Sequence, residues 1–206
     1  MTNTGPNGPQ RRATDLGGVA AYLAFVLLGG VLVFGFAWAL LPAIAAQNAA
    51  PCAPLEPDAR SGPAPDFEVQ DLQGNVVRSQ DLRGKFLVVN FWATWCEPCI
   101  TEWPEIDKLA QRLVGRDDVL VLAISVDQER PEVPAFLEKM ALTDTPVHVL
   151  WDPEQKLHGR FGTSKLPDTY FVSPGGELLD AFVNVRRWGS PGALRCVDMA
   201  IRNADE

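Results

Sequence analysis

Two cysteines three residues apart, Cys96 and Cys99, are the residues of this sequence whose type and spacing best suit a chemical reaction. They follow the apolar run FLVVNFW (86–92), which predicts a buried strand, and they precede an amphipathic stretch, which predicts a helix. At a helix N-terminus the unpaired N–H groups and the helix dipole stabilise a thiolate, and a second cysteine one turn away lies within disulfide reach. The spacing therefore predicts a reversible, redox-active disulfide.

A metal or haem site is the alternative use of a Cys-x-x-Cys pair. Structural zinc takes four ligands, but the other two cysteines, Cys52 and Cys196, are far away in sequence, and no pair of histidines has zinc-finger spacing. Haem attachment requires a histidine directly after the second cysteine, where this chain has Ile100. We expect His148 and His158 to be packing or surface residues, and we expect no metal site and no cofactor.

Short apolar runs alternate with amphipathic stretches from residue 66 onward, and these elements must position the cysteine pair. Such alternation is typical of an α/β domain with a mostly parallel central sheet. Pro104 predicts a kink in the helix that carries the pair. The predicted strands are 67–71, 75–78, 86–92, 119–126, 147–151, 169–173 and 178–183, and the predicted helices are 97–114, 131–140, 154–161 and 193–203.

A long apolar segment, residues 16–46, precedes this domain and contains no charged residue. It exceeds the ~20 residues that a helix needs to cross a bilayer. Arg11 and Arg12 lie before it and a long acidic region follows, so the positive-inside rule predicts a cytoplasmic N-terminus (1–15) and an extracytoplasmic domain. The sequence thus predicts a single-pass protein of the cytoplasmic (inner) membrane.

A cleaved signal peptide is the alternative to an anchor. Ala43 and Ala45 supply small residues of the kind that signal peptidase reads, although apolar regions of signals run only about 7–15 residues. After the apolar segment, residues 47–62 are rich in Pro and Ala and predict a tether. The domain is then expected to cover residues 63–206.

The overall charge excludes one class of partner. The net charge is −8 and the calculated isoelectric point is about 4.8. A nucleic-acid backbone is bound through clustered Lys and Arg, which an acidic chain of this kind does not provide. We therefore expect no nucleic-acid partner.

The segment VNFWATWCEPCITEWP (89–104) resembles the active-site signature of membrane-anchored thioredoxin-like proteins of the TlpA/ResA type. Two further segments, LRGK (82–85) and LPDTYF (166–171), are similar to other stretches of that family, and the resemblance covers about residues 63–203. It implies a thioredoxin-like fold, in which helices flank a central mixed sheet, here with an N-terminal extension and one transmembrane helix. It also implies thiol–disulfide exchange outside the cytoplasmic membrane.

The resemblance assigns roles to individual residues. Cys96 and Cys99 form the redox-active disulfide, and Glu102 handles the proton of Cys99. Pro167 follows a cis peptide bond and faces the cysteine pair as a substrate-docking edge. Without the resemblance, Glu102 would be interpreted as a solvated charge and Pro167 as a turn residue. The expected docking residues are Trp95, Glu97, Pro98 and Pro167.

The direction of exchange is expected to be reductive. Family members most often reduce protein disulfides, for example in cytochrome c maturation or copper-protein assembly. The implied partners are a protein substrate with a cysteine pair and a membrane electron donor that re-reduces Cys96 and Cys99. Glu97 also favours a reductive role. A negative charge between the cysteines disfavours the thiolate and makes the Cys96–Cys99 couple more reducing. Glu97 also suits the first turn of a helix, and the two roles are compatible.

Two other functions use the same fold. A copper-handling module would use the two thiols as soft metal ligands, but the copper-carrying relatives have three residues between their cysteines and add a histidine. A peroxidase of the peroxiredoxin kind would require a Thr-x-x-Cys nucleophile, whereas Thr94 lies only two residues before Cys96. Spacing therefore favours the oxidoreductase.

Cys52 and Cys196 remain, one before the domain and one in its last predicted helix. In an exported protein two leftover cysteines most simply form a structural disulfide, which here would fasten the tether to the terminal helix. Lipidation of Cys52 is the competing interpretation, and Pro51 argues against it.

Overall fold

The structure, a computed structural model, describes residues 16–204, with side chains for residues 17–41 and 50–204. It divides between Ala49 and Ala50 into two compact units. The predicted cytoplasmic segment (1–15), with Arg11 and Arg12, and the last two residues lie outside the described residues.

The first unit is one helix, α1 (Leu16–Ala49). Its stretch Gly17–Leu41 has 25 residues with a mean hydropathy of 2.4, and its side chains are exposed rather than packed inside the protein. Among the described residues it is the one helix long and apolar enough to cross a membrane.

The second unit is an eight-stranded sheet with helices on its faces. In sheet order the strands are β1, β8, β7, β4, β5, β6, β2 and β3. The β4–β5 and β5–β6 pairs are parallel, and the other pairs are antiparallel, so the sheet is mixed. The strands are β1 (Asp58–Ala59), β2 (Glu68–Asp71), β3 (Val76–Arg78), β4 (Phe86–Trp92), β5 (Val119–Ser125), β6 (His148–Trp151), β7 (Asp168–Val172) and β8 (Leu178–Val183). The helices are α2 (Glu97–Leu113), α3 (Glu132–Lys139), α4 (Leu157–Phe161) and α5 (Pro191–Ala204).

Strand β4 lies in the middle of the sheet and is buried along its whole length. Successive side chains of a strand point to opposite faces, so Phe86, Val88 and Trp92 join one apolar cluster and Leu87 and Phe91 join the other. The first cluster contains apolar residues of α2, α3 and α5, and the second contains those of α4. A strand buried on both faces fixes the place where α2 begins.

The predicted strands and helices agree with the structure to within three residues at every end. The difference lies in the predicted tether, 47–62. From Ala50 onward it belongs to the compact domain, because a short 3-10 turn (Ala53–Leu55) buries Leu55, and β1 pairs with β8. A polar two-residue strand carries no periodic pattern, so the sequence could not reveal it.

Candidate active site

The cysteine pair lies where β4 ends and α2 begins. Cys96 caps the N-terminus of α2, and its Sγ accepts a hydrogen bond from the backbone N–H of Cys99 at 3.3 Å. The two cysteines form a disulfide, with a Cα–Cα distance of 5.2 Å. Cys96 is 6% exposed and Cys99 is 1% exposed. The sulfur of Cys96 therefore lies nearer to solvent, at the positive end of the helix dipole.

Asp127 holds the loop between β4 and α2. Its buried carboxylate accepts hydrogen bonds from the backbone N–H of Thr94 (3.0 and 3.1 Å), from the Thr94 hydroxyl (2.7 Å) and from the Ser125 hydroxyl (2.6 Å). Thr94 is two residues before Cys96, so these bonds fix the approach of the chain to the first cysteine. Asp127 was not predicted from the sequence, although a carboxylate just after the carboxyl end of a parallel strand can indicate a functional-site residue.

An open cleft of about 630 Å³ lies beside Cys96. Trp95 forms part of its wall and is 67% exposed, which is unusual for so large an aromatic side chain. The cleft thus offers an exposed aromatic surface next to Cys96. Its lining consists of Trp95, Cys96, Glu97, Pro98, Val126, Gln155, His158, Ser164, Lys165 and Leu166.

Pro167 is buried at the start of β7, and the Leu166–Pro167 peptide bond is cis, as the resemblance implied. Leu166 lines the cleft, whereas Pro167 is not among the lining residues. The carbonyl of Pro167 accepts a hydrogen bond from the backbone N–H of Asn184 at 2.9 Å. Its role as a docking edge stays a prediction.

Glu102 is buried behind the disulfide, with 1% of its surface exposed. It follows Cys99 by three residues on α2, so both side chains lie on one face of the helix. Three N–H groups donate to its carboxylate. They are Asn90 Nδ2 (3.1 Å), the backbone N–H of Arg186 (2.7 Å) and Trp188 Nε1 (3.0 Å).

Burial dominates the protonation of Glu102. Loss of water raises the pKa of Glu102 to about 7, although the three hydrogen bonds and the charge of Arg186 act in the opposite direction. A carboxyl group with a pKa near neutrality can both accept and release a proton at physiological pH. Glu102 thus places a carboxyl group with a pKa near neutrality one helical turn from the inner cysteine.

A comparison with protein-family models decides the family. The model described as "AhpC/TSA family" matches residues 61–181, more than half of the chain. The chain belongs to this family. The curated relatives support the narrower ResA-type thioredoxin-like group: the thiol-disulfide oxidoreductase ResA of Geobacillus thermodenitrificans is 33% identical over 115 residues. That match covers 56% of this chain and 64% of the relative, which is less than two thirds of its length.

Solved structures are similar over about two thirds of the chain. A thiol:disulfide interchange protein of the thioredoxin family from Chlorobium tepidum has a TM-score of 0.57 and 26% identity, over 69% of this chain and 98% of that one. The exposed lipoprotein thioredoxin of Streptococcus pneumoniae has a TM-score of 0.54 and 25% identity, over 66% and 99%. The fold of this AhpC/TSA family member is therefore thioredoxin-like, as the resemblance implied.

A second disulfide lies away from the cleft. Cys52 and Cys196 are bonded, with a Cα–Cα distance of 4.6 Å and 144 residues between them in sequence numbering. Both are buried, and the bond joins the segment before β1 to α5. Together the two bonds account for every cysteine of the chain.

The structure brings some of the predicted site residues together and leaves others apart. Trp95, Glu97 and Pro98 line the cleft with Cys96, and Glu102 lies on the inner side with Cys99. Trp92 and Trp103, by contrast, are core residues with ring centroids 4.9 Å apart. Within the part of the chain that the structure describes, no group of three or more His, Cys, Asp or Glu could hold a metal ion.

Sequence reasoning missed the partners of Glu102. Asn90 gives a local signal, since it is a polar residue within an otherwise apolar buried strand, and its Nδ2 also donates to Thr169 on β7 at 3.0 Å. Arg186 and Trp188 give none, because they contact Glu102 across 84 and 86 residues of sequence.

Proposed function

We propose that this chain is a membrane-anchored thiol–disulfide oxidoreductase that reduces disulfides of extracytoplasmic proteins with the Cys96–Cys99 dithiol. The observation that carries the proposal is the asymmetry of the pair: Cys96 borders an open cleft at a helix N-terminus, and Cys99 is buried beside Glu102. An exchange enzyme requires one accessible sulfur to attack and one protected sulfur to resolve.

The proposed reaction begins with the reduced pair. The Cys96 thiolate attacks one sulfur of a substrate disulfide, so a mixed disulfide forms and the second substrate sulfur leaves as a thiolate. Cys99 then loses its proton and attacks the Cys96 sulfur, which restores the Cys96–Cys99 disulfide and releases the first substrate sulfur as a thiolate. The substrate gains two electrons, and both of its thiolates take up protons. A membrane electron donor returns two electrons to the pair.

Glu102 is the proposed acceptor of the Cys99 proton. It lies one turn away on the same helix face, and its pKa of about 7 lets it hold a proton during one half of the cycle and release it in the other. Cys99 is nearly inaccessible to solvent, so an internal group is needed for this transfer. Transfer through one water would satisfy the same requirement.

The substrate is proposed to be a polypeptide with a cysteine pair, docked along the cleft against Trp95, Pro98 and the segment that leads to Pro167. The exposed indole of Trp95 supports this, since a large aromatic ring gives contact area at little entropic cost. Apocytochrome c and copper-carrier proteins are the substrate classes that the family resemblance suggests. Trp95, Glu97, Pro98 and Pro167 are the proposed docking residues.

The proposed location is the outer face of the cytoplasmic membrane. The stretch Gly17–Leu41 is long and apolar enough to cross a bilayer, and Arg11 and Arg12 before it favour a cytoplasmic N-terminus. The domain would follow on the other side. The buried Cys52–Cys196 bridge fits an oxidising compartment, where structural disulfides persist.

Trapping of mixed disulfides tests the proposed roles. In Cys99→Ala, Cys96 can attack but nothing resolves the product, so covalent complexes with substrate proteins accumulate. In Cys96→Ala the accessible sulfur is lost, and we expect almost no complexes. The measurement is a non-reducing gel of the full chain in membranes after acid quenching, followed by reduction and mass identification of the partners.

Two results bear on this experiment. Equal trapping by Cys96→Ala and Cys99→Ala would show that the roles are wrongly assigned. Trapping by neither variant, with wild type unable to reduce a protein disulfide such as that of insulin, would contradict the proposed function as a whole.

A further inference from the structure

Arg186 connects the back of the active site to the segment that follows the apolar helix. Its backbone N–H donates to Oε1 of Glu102 at 2.7 Å. Its Nε donates to the carbonyl of Leu55 at 2.6 Å, and its Nη2 lies 3.3 Å from Oε2 of Glu56. Only 17% of its side chain is exposed. One residue thus contacts both Glu102 and residues 55–56.

The segment that the Arg186 side chain contacts, residues 55–56, is itself fixed to the domain. Cys52 is bonded to Cys196 of α5, and the turn Ala53–Leu55 follows at once and buries Leu55. The carbonyl that accepts the guanidinium bond therefore lies three residues from a covalent attachment point. Because this acceptor is fixed on a scaffold, it can hold a long side chain in one geometry.

Helix α2 fixes the backbone next to Arg186 a second time. Glu105, one turn after Glu102, accepts a hydrogen bond from the backbone N–H of Gly189 at 3.1 Å. A Cβ atom at Gly189 would lie 2.8 Å from Oε2 of Glu105 and 3.0 Å from Cβ of Lys108, so a larger residue there would displace these side chains. The segment 186–189 is therefore attached to α2 at two successive carboxylates.

The groups around Glu102 differ in charge. Strand β4 contributes the neutral amide of Asn90, and the segment after β8 contributes the neutral indole of Trp188 together with the charged Arg186. Helix α2 contributes Cys99 on one side and Glu105 on the other. On β7, the buried Asp168 also feels the charge of Arg186. Arg186 lowers the pKa of Glu102 mainly through its backbone N–H and to a smaller extent through its charge.

We propose that Arg186 is a positioning residue of the redox site: fastened to Leu55 and Glu56, it holds its positive charge and its backbone N–H against Glu102 and favours the carboxylate form. The segment 52–56 then belongs to the device that sets when Glu102 accepts a proton. This inference rests on the proposed function for its catalytic meaning, but the ionisation of Glu102 can be measured without any turnover.

The test removes the charge of the side chain at position 186 and keeps a side chain of similar length. Arg186→Gln removes the cation and its contact with Glu56, so we expect the pKa of Glu102 to rise by about half a unit, less than the effect of a directly paired opposite charge. Arg186→Lys keeps a cation and should leave the value within about 0.3 units of wild type. Arg187→Gln is the matched control, since Arg187 is adjacent and exposed.

The measurement is a carbon-13 NMR titration of the Glu102 carboxyl in the full chain in detergent, with the signal assigned by Glu102→Gln. A higher pKa in Arg186→Gln, with both other variants near wild type, supports the inference. The inference is overturned if Arg186→Gln titrates like Arg187→Gln, or if Arg186→Lys shifts as far as Arg186→Gln. If Arg186→Gln does not fold, Arg186→Met takes its place, because it also removes the charge: an upward shift supports the inference, and a value near wild type contradicts it.

The outcome is separable from that of the proposed function. A wild-type chain that reduces no protein disulfide would end the catalytic interpretation, while the titration would still report whether Arg186 controls Glu102. If the wild type is active and the titration of Glu102 is unchanged in Arg186→Gln, the inference about Arg186 is wrong and the proposed function is unaffected.

Discussion

The two disulfides of this chain have the same covalent bond in different surroundings. Cys96–Cys99 spans three positions of sequence, caps a helix and borders a cleft. Cys52–Cys196 spans 144 positions and is buried away from the cleft, where it joins the start of the domain to its last helix. Exchange requires access for an incoming thiolate and a stabilised leaving group. Cys52 and Cys96 are equally little exposed, at 7% and 6%, so the first bond differs by the cleft beside Cys96 and by its place at a helix N-terminus. Under the proposed function, placement and not bond type separates a reactive disulfide from a structural one.

Removal of each bond should separate their contributions to stability, and this is the largest effect that we predict. The chain-entropy model gives about 5 kcal/mol for a loop of this length closed by Cys52–Cys196 and about 2 kcal/mol for the short loop of Cys96–Cys99. We therefore expect Cys52→Ser/Cys196→Ser to lower the free energy of unfolding more than Cys96→Ser/Cys99→Ser does. Urea unfolding without reductant, followed by tryptophan fluorescence, measures both. Equal losses would show that the long bridge does not act as a structural clamp.

The surroundings of Cys96–Cys99 at the junction of β4 and α2 were largely predictable from sequence, because their signals are local. Strand β4 coincides with an apolar run, and a Cys-x-x-Cys pair directly after such a strand lies at a helix start. Glu102 was identified by the family resemblance, since its spacing alone would describe a solvated charge. The helix periodicity around it was correct because α2 has a strongly apolar face.

The environment of the site was not predictable in the same way. The burial of Glu102 depends on Arg186 and Trp188, which the chain brings back after more than 80 residues. No local pattern encodes such a contact. Likewise the two residues of β1 were hidden in a Pro-rich and Ala-rich segment, because their partner strand, β8, is more than 100 residues away.

Glu102 distinguishes the first disulfide further, because this buried carboxyl follows Cys99 by one turn of α2. Its folded-state pKa, about 7, lies above the ordinary value of 4.5, so the folded protein holds a proton that the unfolded chain releases. The stability that this contributes is fully present below about pH 4.5 and is lost as the pH rises through 7, on the order of 3 kcal/mol. The measurement is the free energy of unfolding of wild type minus that of Glu102→Gln across this range.

Glu105→Gln is the control for that measurement. Glu105 lies one turn further along the same helix, but Lys108 lowers its pKa, so its contribution is present at neutral pH and is lost as the pH falls. The two variants should therefore change the pH dependence in opposite directions. A flat difference between wild type and Glu102→Gln from pH 4.5 to 7 would contradict the burial effect.

The smallest predicted effect concerns the loop that presents Cys96. Thr94→Val removes the 2.7 Å hydrogen bond to the buried Asp127 carboxylate, which should cost about 1 to 2 kcal/mol of stability and slow exchange. Thr101→Val is the matched control, because its hydroxyl donates to the Glu97 carbonyl on the exposed side of α2 and should cost less than about 0.5 kcal/mol. Urea unfolding and a disulfide-exchange assay measure the two effects. If Thr94→Val behaves like Thr101→Val, Asp127 does not fix the approach to Cys96.

A redox titration of both disulfides in one sample measures whether Cys96–Cys99 is the exchanging pair and Cys52–Cys196 the stable one. The full chain is equilibrated in thiol–disulfide buffers of stepped potential, free thiols are alkylated, and mass mapping reports the oxidised fraction of each pair. We predict that Cys96–Cys99 has a reduction potential below about −220 mV and is reduced while Cys52–Cys196 remains bonded. A potential for Cys96–Cys99 above about −150 mV would contradict the proposal that the protein acts as a reductant. Reduction of Cys52–Cys196 before Cys96–Cys99 would contradict the assignment of one bond to exchange and the other to structure.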